Sequence, residues 1–190
     1  MRDQIVLKVA DFQGAAQHFS TGLDARAARI RLSLDRDEST RRLISSDNDV
    51  DVSWTKRRVV GGLRRRCKIE REARTEDGGW AINAVDRETG LSLVVLLTPA
   101  ESGRREQIGY ILFAAGFSGP NGWKVSSEQA GKVEDQFADD PILVYLDDGV
   151  LYIFAEPRMD LAFDRELFDG QLTYFLKAMN VVATILYGEA

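Results

Sequence analysis

The chain of 190 residues has one cysteine, one histidine and four prolines. Each scarcity closes off a class of chemistry. A single cysteine, Cys67, permits no internal disulfide and no cysteine-built zinc site. A single histidine, His18, leaves imidazole acid–base chemistry with one candidate, and that residue reads as part of a helix surface. The longest mostly apolar stretch is Leu91–Leu97. It falls far short of the roughly 18 residues that a membrane helix requires. The opening MRDQIVLKVADF offers no signal-peptide core. The sequence contains no glycine-rich phosphate loop, nucleophile elbow or metal-ligand cluster. These absences predict a soluble, cytoplasmic protein with no cofactor, no metal and no membrane partner.

What is present is a globular balance, 44% hydrophobic and 29% charged, with enough apolar material for a core. The net charge of −5 is unevenly spread. Residues 1–78 carry 17 Lys/Arg against 13 Asp/Glu, a net of +4, whereas residues 79–190 carry 8 against 17, a net of −9. The asymmetry predicts two regions: a weakly patterned basic extension over 1–73 and a well-patterned domain over 74–190. The acidic half would repel phosphates, so nucleic acid is not its expected partner.

In the extension, Phe12, Ala16 and Phe19 have helical spacing, and Ile30, Leu32 and Leu34 alternate as in a strand. Asp47, Asp49 and Asp51 imitate the start of a calcium loop. The pattern then fails, because Val52 stands where glycine belongs and Arg58 where the closing glutamate belongs. A polar loop is the expectation there. The basic run Lys56–Arg74 reads as one helix beginning after Gly62. Its cations Lys56, Arg57, Arg58, Arg64, Arg65 and Arg66 are the candidates for contact with nucleic acid. Only Trp54 offers a stacking aromatic, and Glu70, Glu72 and Glu76 interrupt the field. A solvated helix face, or a clasp onto the protein's own acidic half, is the expected role; a nucleic-acid-associated regulator using 56–74 is the alternative. Cations around Cys67 would favour a thiolate, but an inert thiol is the expected state.

From Trp80 the pattern sharpens. WAINAVD, LSLVVLL and QIGYILFAAGF read as three strands of an antiparallel meander, with Gly90 in the first turn. Ser126 and Gln129 have capping-box spacing, and Ala130, Val133 and Phe137 form the apolar stripe of the helix they open. Pro141 ends that helix and starts a hairpin, ILVYL and VLYIFAE. Asp164 is the expected N-cap of a long final helix, with Phe163 and Phe168 placed as a hydrophobic staple across it. Phe168, Leu172, Phe175, Met179, Val182 and Leu186 then recur at spacings of three and four. The expected fold class is therefore α+β: an antiparallel sheet of about five strands, with a middle helix and a long C-terminal helix.

The stretch DDPILVYLDDGVLYIFAEP carries two acidic pairs. Paired carboxylates can be catalytic or metal-binding, but Asp147-Asp148-Gly149 has the composition of a tight hairpin turn, and Asp139-Asp140 before proline marks a helix stop. The strands between them are more informative. Ile142, Val144 and Leu146 would line one face, and Leu143, Tyr145, Tyr152 and Phe154 the other. A sheet covered by helices on one side normally turns polar residues outward on the other. An aromatic second face predicts a protein interface or a cover supplied by the chain itself.

LFAAGF (Leu112–Phe117), VYLDDGVLYI (Val144–Ile153) and the final amphipathic helix make residues 74–186 resemble the YbjN family of bacterial sensory-transduction regulators. Lys132–Phe137 lacks the two asparagines that this family often carries there. The resemblance implies a type III secretion chaperone-like fold and a non-enzymatic, regulatory or chaperone-like protein-binding module. It also implies a homodimer, with a dedicated type III secretion chaperone as a further alternative. The residues expected to form the protein interface are Leu143, Tyr145, Tyr152 and Phe154.

Overall fold

The computed structural model describes residues 53–100, 107–118, 123–159 and 162–188. All of them belong to one compact unit. Phe12, Ala16, His18, Phe19, Ile30, Leu32, Leu34 and Asp47–Asp51, for which the sequence predicts a short helix, a strand and a polar loop, lie outside the described residues. The element order is α1 (Lys56–Arg66), β1 (Cys67–Arg74), β2 (Trp80–Asp86), β3 (Ser92–Pro99), β4 (Ile108–Phe117), α2 (Ser127–Gln136), β5 (Leu143–Asp147), β6 (Val150–Ala155) and α3 (Arg165–Tyr187). The six strands form one antiparallel sheet in the order β1-β2-β3-β4-β6-β5. The fold is α+β, with a meander, a middle helix, a hairpin and a long C-terminal helix. No helix among the described residues is long and apolar enough to cross a membrane.

The basic run departs from the expectation of one helix after Gly62. It holds both a helix and a strand. Thr55 caps α1 and its Oγ1 accepts a hydrogen bond from the Arg58 N–H at 3.4 Å. The helix runs through Gly61 and Gly62 and buries Val59, Val60 and Leu63. Gly62 is tolerated because α3 needs the space. A Cβ at this position would lie 2.5 Å from Cε1 of Phe168. Helix propensity lost at a glycine, about 1 kcal/mol, is offset by the close approach of two helices. The chain then turns extended at Cys67, giving the sixth strand.

Turn chemistry sets the rest of the meander. Gly90 has φ +70°. Buried Asp86 accepts hydrogen bonds from the Thr89 N–H at 3.0 Å and the Thr89 hydroxyl at 2.6 Å, which closes the β2–β3 connection. After β4, α2 opens on the capping box that Ser126 and Gln129 predict. Asp164 caps α3 by accepting from the Glu166 and Leu167 N–H groups at 2.8 and 3.0 Å. Phe163 and Phe168 meet across that cap, with ring centroids 6.0 Å apart. The whole predicted stripe from Phe168 to Leu186 is buried.

The three described helices share one core with a single side of the sheet. Ile82, Val95, Leu97, Ile111, Phe113, Ala115, Leu151 and Ile153 face it, and Phe168, Leu172 and Phe175 fill it from α3. Phe113 sits at the centre, 6.0 Å from Phe168 and 5.5 Å from Phe175 by ring centroids.

Candidate protein-binding face

The opposite side of the sheet is also apolar. Register places its residues in a row across five strands. Ala81 and Asn83 stand opposite Leu96 and Val94, which stand opposite Leu112 and Ala114. Ala114 and Gly116 stand opposite Phe154 and Tyr152, which stand opposite Leu143 and Tyr145. Directly opposite residues share a face in an antiparallel pair, so the four residues expected to form an interface do come together on one surface. The Tyr152 and Phe154 rings are stacked, 6.2 Å apart at an interplanar angle of 18°. None of these second-face residues belongs to the core that the helices cover.

The four are not equally accessible. Tyr152 and Phe154 are only 5% and 2% exposed, whereas Leu143 and Tyr145 on the edge strand are half-buried. The pair at the centre of the face is closed in the isolated chain, and its rim is partly open. The sequence reading also missed the reach of this face. Val94, Leu96 and Leu112 extend it beyond the hairpin. The available signal was the apolar character of both alternating sets in β3 and β4. Asn83 breaks the apolar row, and its Oδ1 is buried without a hydrogen-bond partner.

The carboxylates flanking these strands are turn and rim residues. Asp148 takes φ +44° and Gly149 φ +80°, the left-handed pair that a two-residue hairpin of type I′ demands. The Lys124 ammonium bonds the Asp148 carboxylate, and this contact holds its pKa below the usual value. Asp139 and Asp140 lie in the exposed turn after α2. Among the described residues no group of three or more His, Cys, Asp or Glu side chains is placed to hold a metal ion.

Part of the basic run is paired with its own neighbours. Glu72 pairs with Lys56 at 2.7 Å and with Arg64 at 3.9 Å, and Arg65 pairs with Asp169 of α3 at 2.6 Å. Arg58 donates to the Ser53 carbonyl. Lys56 and Arg74 also lie over the Trp80 ring, 5.7 and 4.8 Å from its centroid. Arg57 and Arg66 are exposed on α1. The ion pairs hold β1 and α3 to α1.

Cys67 is fully buried at the start of β1. Burial, reinforced by the Asp86 carboxylate, pushes its thiol up to about 12. The cations beside it in sequence do not produce a thiolate. A thiol whose folded pKa is raised contributes stability that is complete below its ordinary pKa and is lost as pH rises toward the folded value. The denaturation midpoint of the natural protein should therefore fall more steeply above about pH 9 than that of Cys67→Ala. Parallel pH dependences in the two proteins would refute the assignment.

The chain matches no protein-family model, no curated protein and no solved structure.

Proposed function

We propose that the protein is a non-enzymatic protein-binding module, regulatory or chaperone-like, that acts through the second face of its sheet. The observation that supports this reading is the largely apolar row from Ala81 to Tyr145, interrupted at Asn83, on the side away from the three described helices. An ordinary two-layer α+β domain places polar residues there. The likeness of residues 74–186 to the YbjN regulators and to type III secretion chaperones points the same way, and with it goes a homodimer, to be checked by light scattering. Because Tyr152 and Phe154 are buried, a partner first meets Leu143 and Tyr145, and the chain must open for it to reach the aromatic pair.

The test is affinity purification of the tagged full chain followed by mass spectrometry, comparing it with Leu143→Gln/Tyr145→Gln. Retained circular dichroism and melting would show that the variant folds. The expected result is a specific partner recovered with the natural chain and depleted at least tenfold with the variant. Equal recovery by both would overturn the reading.

A further inference from the structure

The sheet has two edges, and they are built differently. Edge strands expose unpaired N–H and C=O groups, and proteins usually guard them with charge, proline or a bulge. β1 is guarded: Lys68, Glu70, Arg71, Glu72 and Arg74 are charged, and the register shifts between Ile69 and Arg71. β5 has none of these devices over Leu143-Val144-Tyr145-Leu146.

The hairpin decides which backbone groups β5 leaves open. Asp147 and Val150 close a two-residue connection, so they form a hydrogen-bonded pair. Bonded and non-bonded pairs alternate along an antiparallel ladder. Leu143 and Tyr145 therefore bond to β6, and Val144 and Leu146 direct their N–H and C=O groups to the outer edge. Among the described residues no backbone hydrogen bond outside the hairpin reaches these groups. The side chains of Val144 and Leu146 pack against the helix-covered core, which anchors the strand.

Charge identifies the occupant. Asp139 and Asp140 are exposed at one end of β5, and Asp147 and Asp148 at the other. A second copy paired antiparallel about Val144 would bring Asp139 and Asp140 of one chain beside Asp147 and the Lys124-paired Asp148 of the other, leaving three unpaired carboxylates at each end of the joint. Like charges so placed oppose that pairing. Lys124 already pairs with Asp148, so a segment with basic residues at its ends meets Asp139, Asp140 and Asp147 favourably.

We propose that β5 accepts an added strand: an extended, alternately apolar peptide segment about as long as β5, with Lys or Arg flanking each end. Main-chain hydrogen bonds to Val144 and Leu146 supply affinity, and the acidic ends select the partner. The inference rests on the protein-binding reading but concerns the edge rather than the face, so either can fail alone.

The test uses the full chain and dye-labelled synthetic peptides followed by fluorescence anisotropy. One peptide alternates valine and threonine between lysine pairs. A second has glutamate pairs instead. A third is the lysine peptide N-methylated at alternate core amides on its pairing edge. The lysine peptide should bind at least tenfold more tightly than the other two, and added salt should weaken it. Val144→Pro removes an outward N–H that the sheet does not use, a position where edge strands tolerate proline, and should abolish binding. Asp140→Lys/Asp147→Lys leaves the apolar strand intact and should shift preference to the glutamate peptide, which keeps the test decisive if Val144→Pro does not fold. Equal binding of all three peptides, or an unchanged preference in the charge-reversed variant, would overturn the proposal. So would a dimer in light scattering that Val144→Pro dissociates, because it would assign the edge to a second copy.

Discussion

Phe168→Ala is expected to lower folding stability by about 3–5 kcal/mol, the usual cost of deleting a fully buried phenylalanine. The side chain is completely buried. Its ring lies 6.0 Å from Phe113 of β4, 6.0 Å from Phe163 before α3 and 6.2 Å from Trp54 before α1. It also occupies the space above Gly62. One ring thus joins the sheet, the long helix and the first helix, and neighbours fixed on three sides cannot collapse into the cavity. Chemical denaturation should show a lowered midpoint with an unchanged slope. A loss below about 1 kcal/mol would mean that the site relaxes freely.

The same contact gives a reciprocal variant. Gly62→Ala gains about 1 kcal/mol of helix propensity. Its added methyl would sit 2.5 Å from a ring that Trp54, Phe113 and Phe163 hold in place. Overpacking of this kind typically costs 1–3 kcal/mol. The net result should be destabilising, and combining it with Phe168→Leu should recover part of the loss as a coupling above about 0.5 kcal/mol.

The elements legible in the sequence were those whose determinants are local. Asp148-Gly149 specifies a hairpin turn by itself, Ser126 with Gln129 specifies a helix start, and Asp164 with Phe163 and Phe168 specifies another. The division of the hairpin into two faces follows from the period of a strand, and the register places Leu143, Tyr145, Tyr152 and Phe154 together. The basic run was opaque because its structure is decided from elsewhere. Gly62 suggests a helix boundary until Phe168 is seen to lie on it. β1 carries five charges in eight residues, and its bulge breaks the alternation that would mark a strand. Its place at the edge, beside β2, lets those charges reach solvent and the α1 cations. Accessibility was equally illegible. Tyr145 and Tyr152 have similar local sequence contexts, yet one is half-buried and the other closed, because burial depends on what lies across the sheet.

Phe154→Asp is expected to cost at least about 3–5 kcal/mol, since it removes a buried ring and puts a carboxylate into a buried position. Against a typical total stability of about 5–15 kcal/mol, this is a large share and should lower the melting temperature markedly. Leu143→Asp is the matched comparison. It adds the same charge directly across the ladder, at the edge strand, where the side chain is half-buried and can turn toward solvent. A loss of about 1 kcal/mol is expected there. Thermal melts followed by circular dichroism separate the two. A large gap between the variants means that the aromatic pair is structural in the isolated chain and that binding starts from the β5 rim. Equal, small losses mean that the face is open in solution, and then Tyr152 and Phe154 can meet a partner directly without prior opening. The two outcomes also predict different kinetics. Opening before contact makes association slow and independent of partner concentration at saturation, whereas direct docking of a preformed face proceeds at the usual 10⁵–10⁷ M⁻¹s⁻¹.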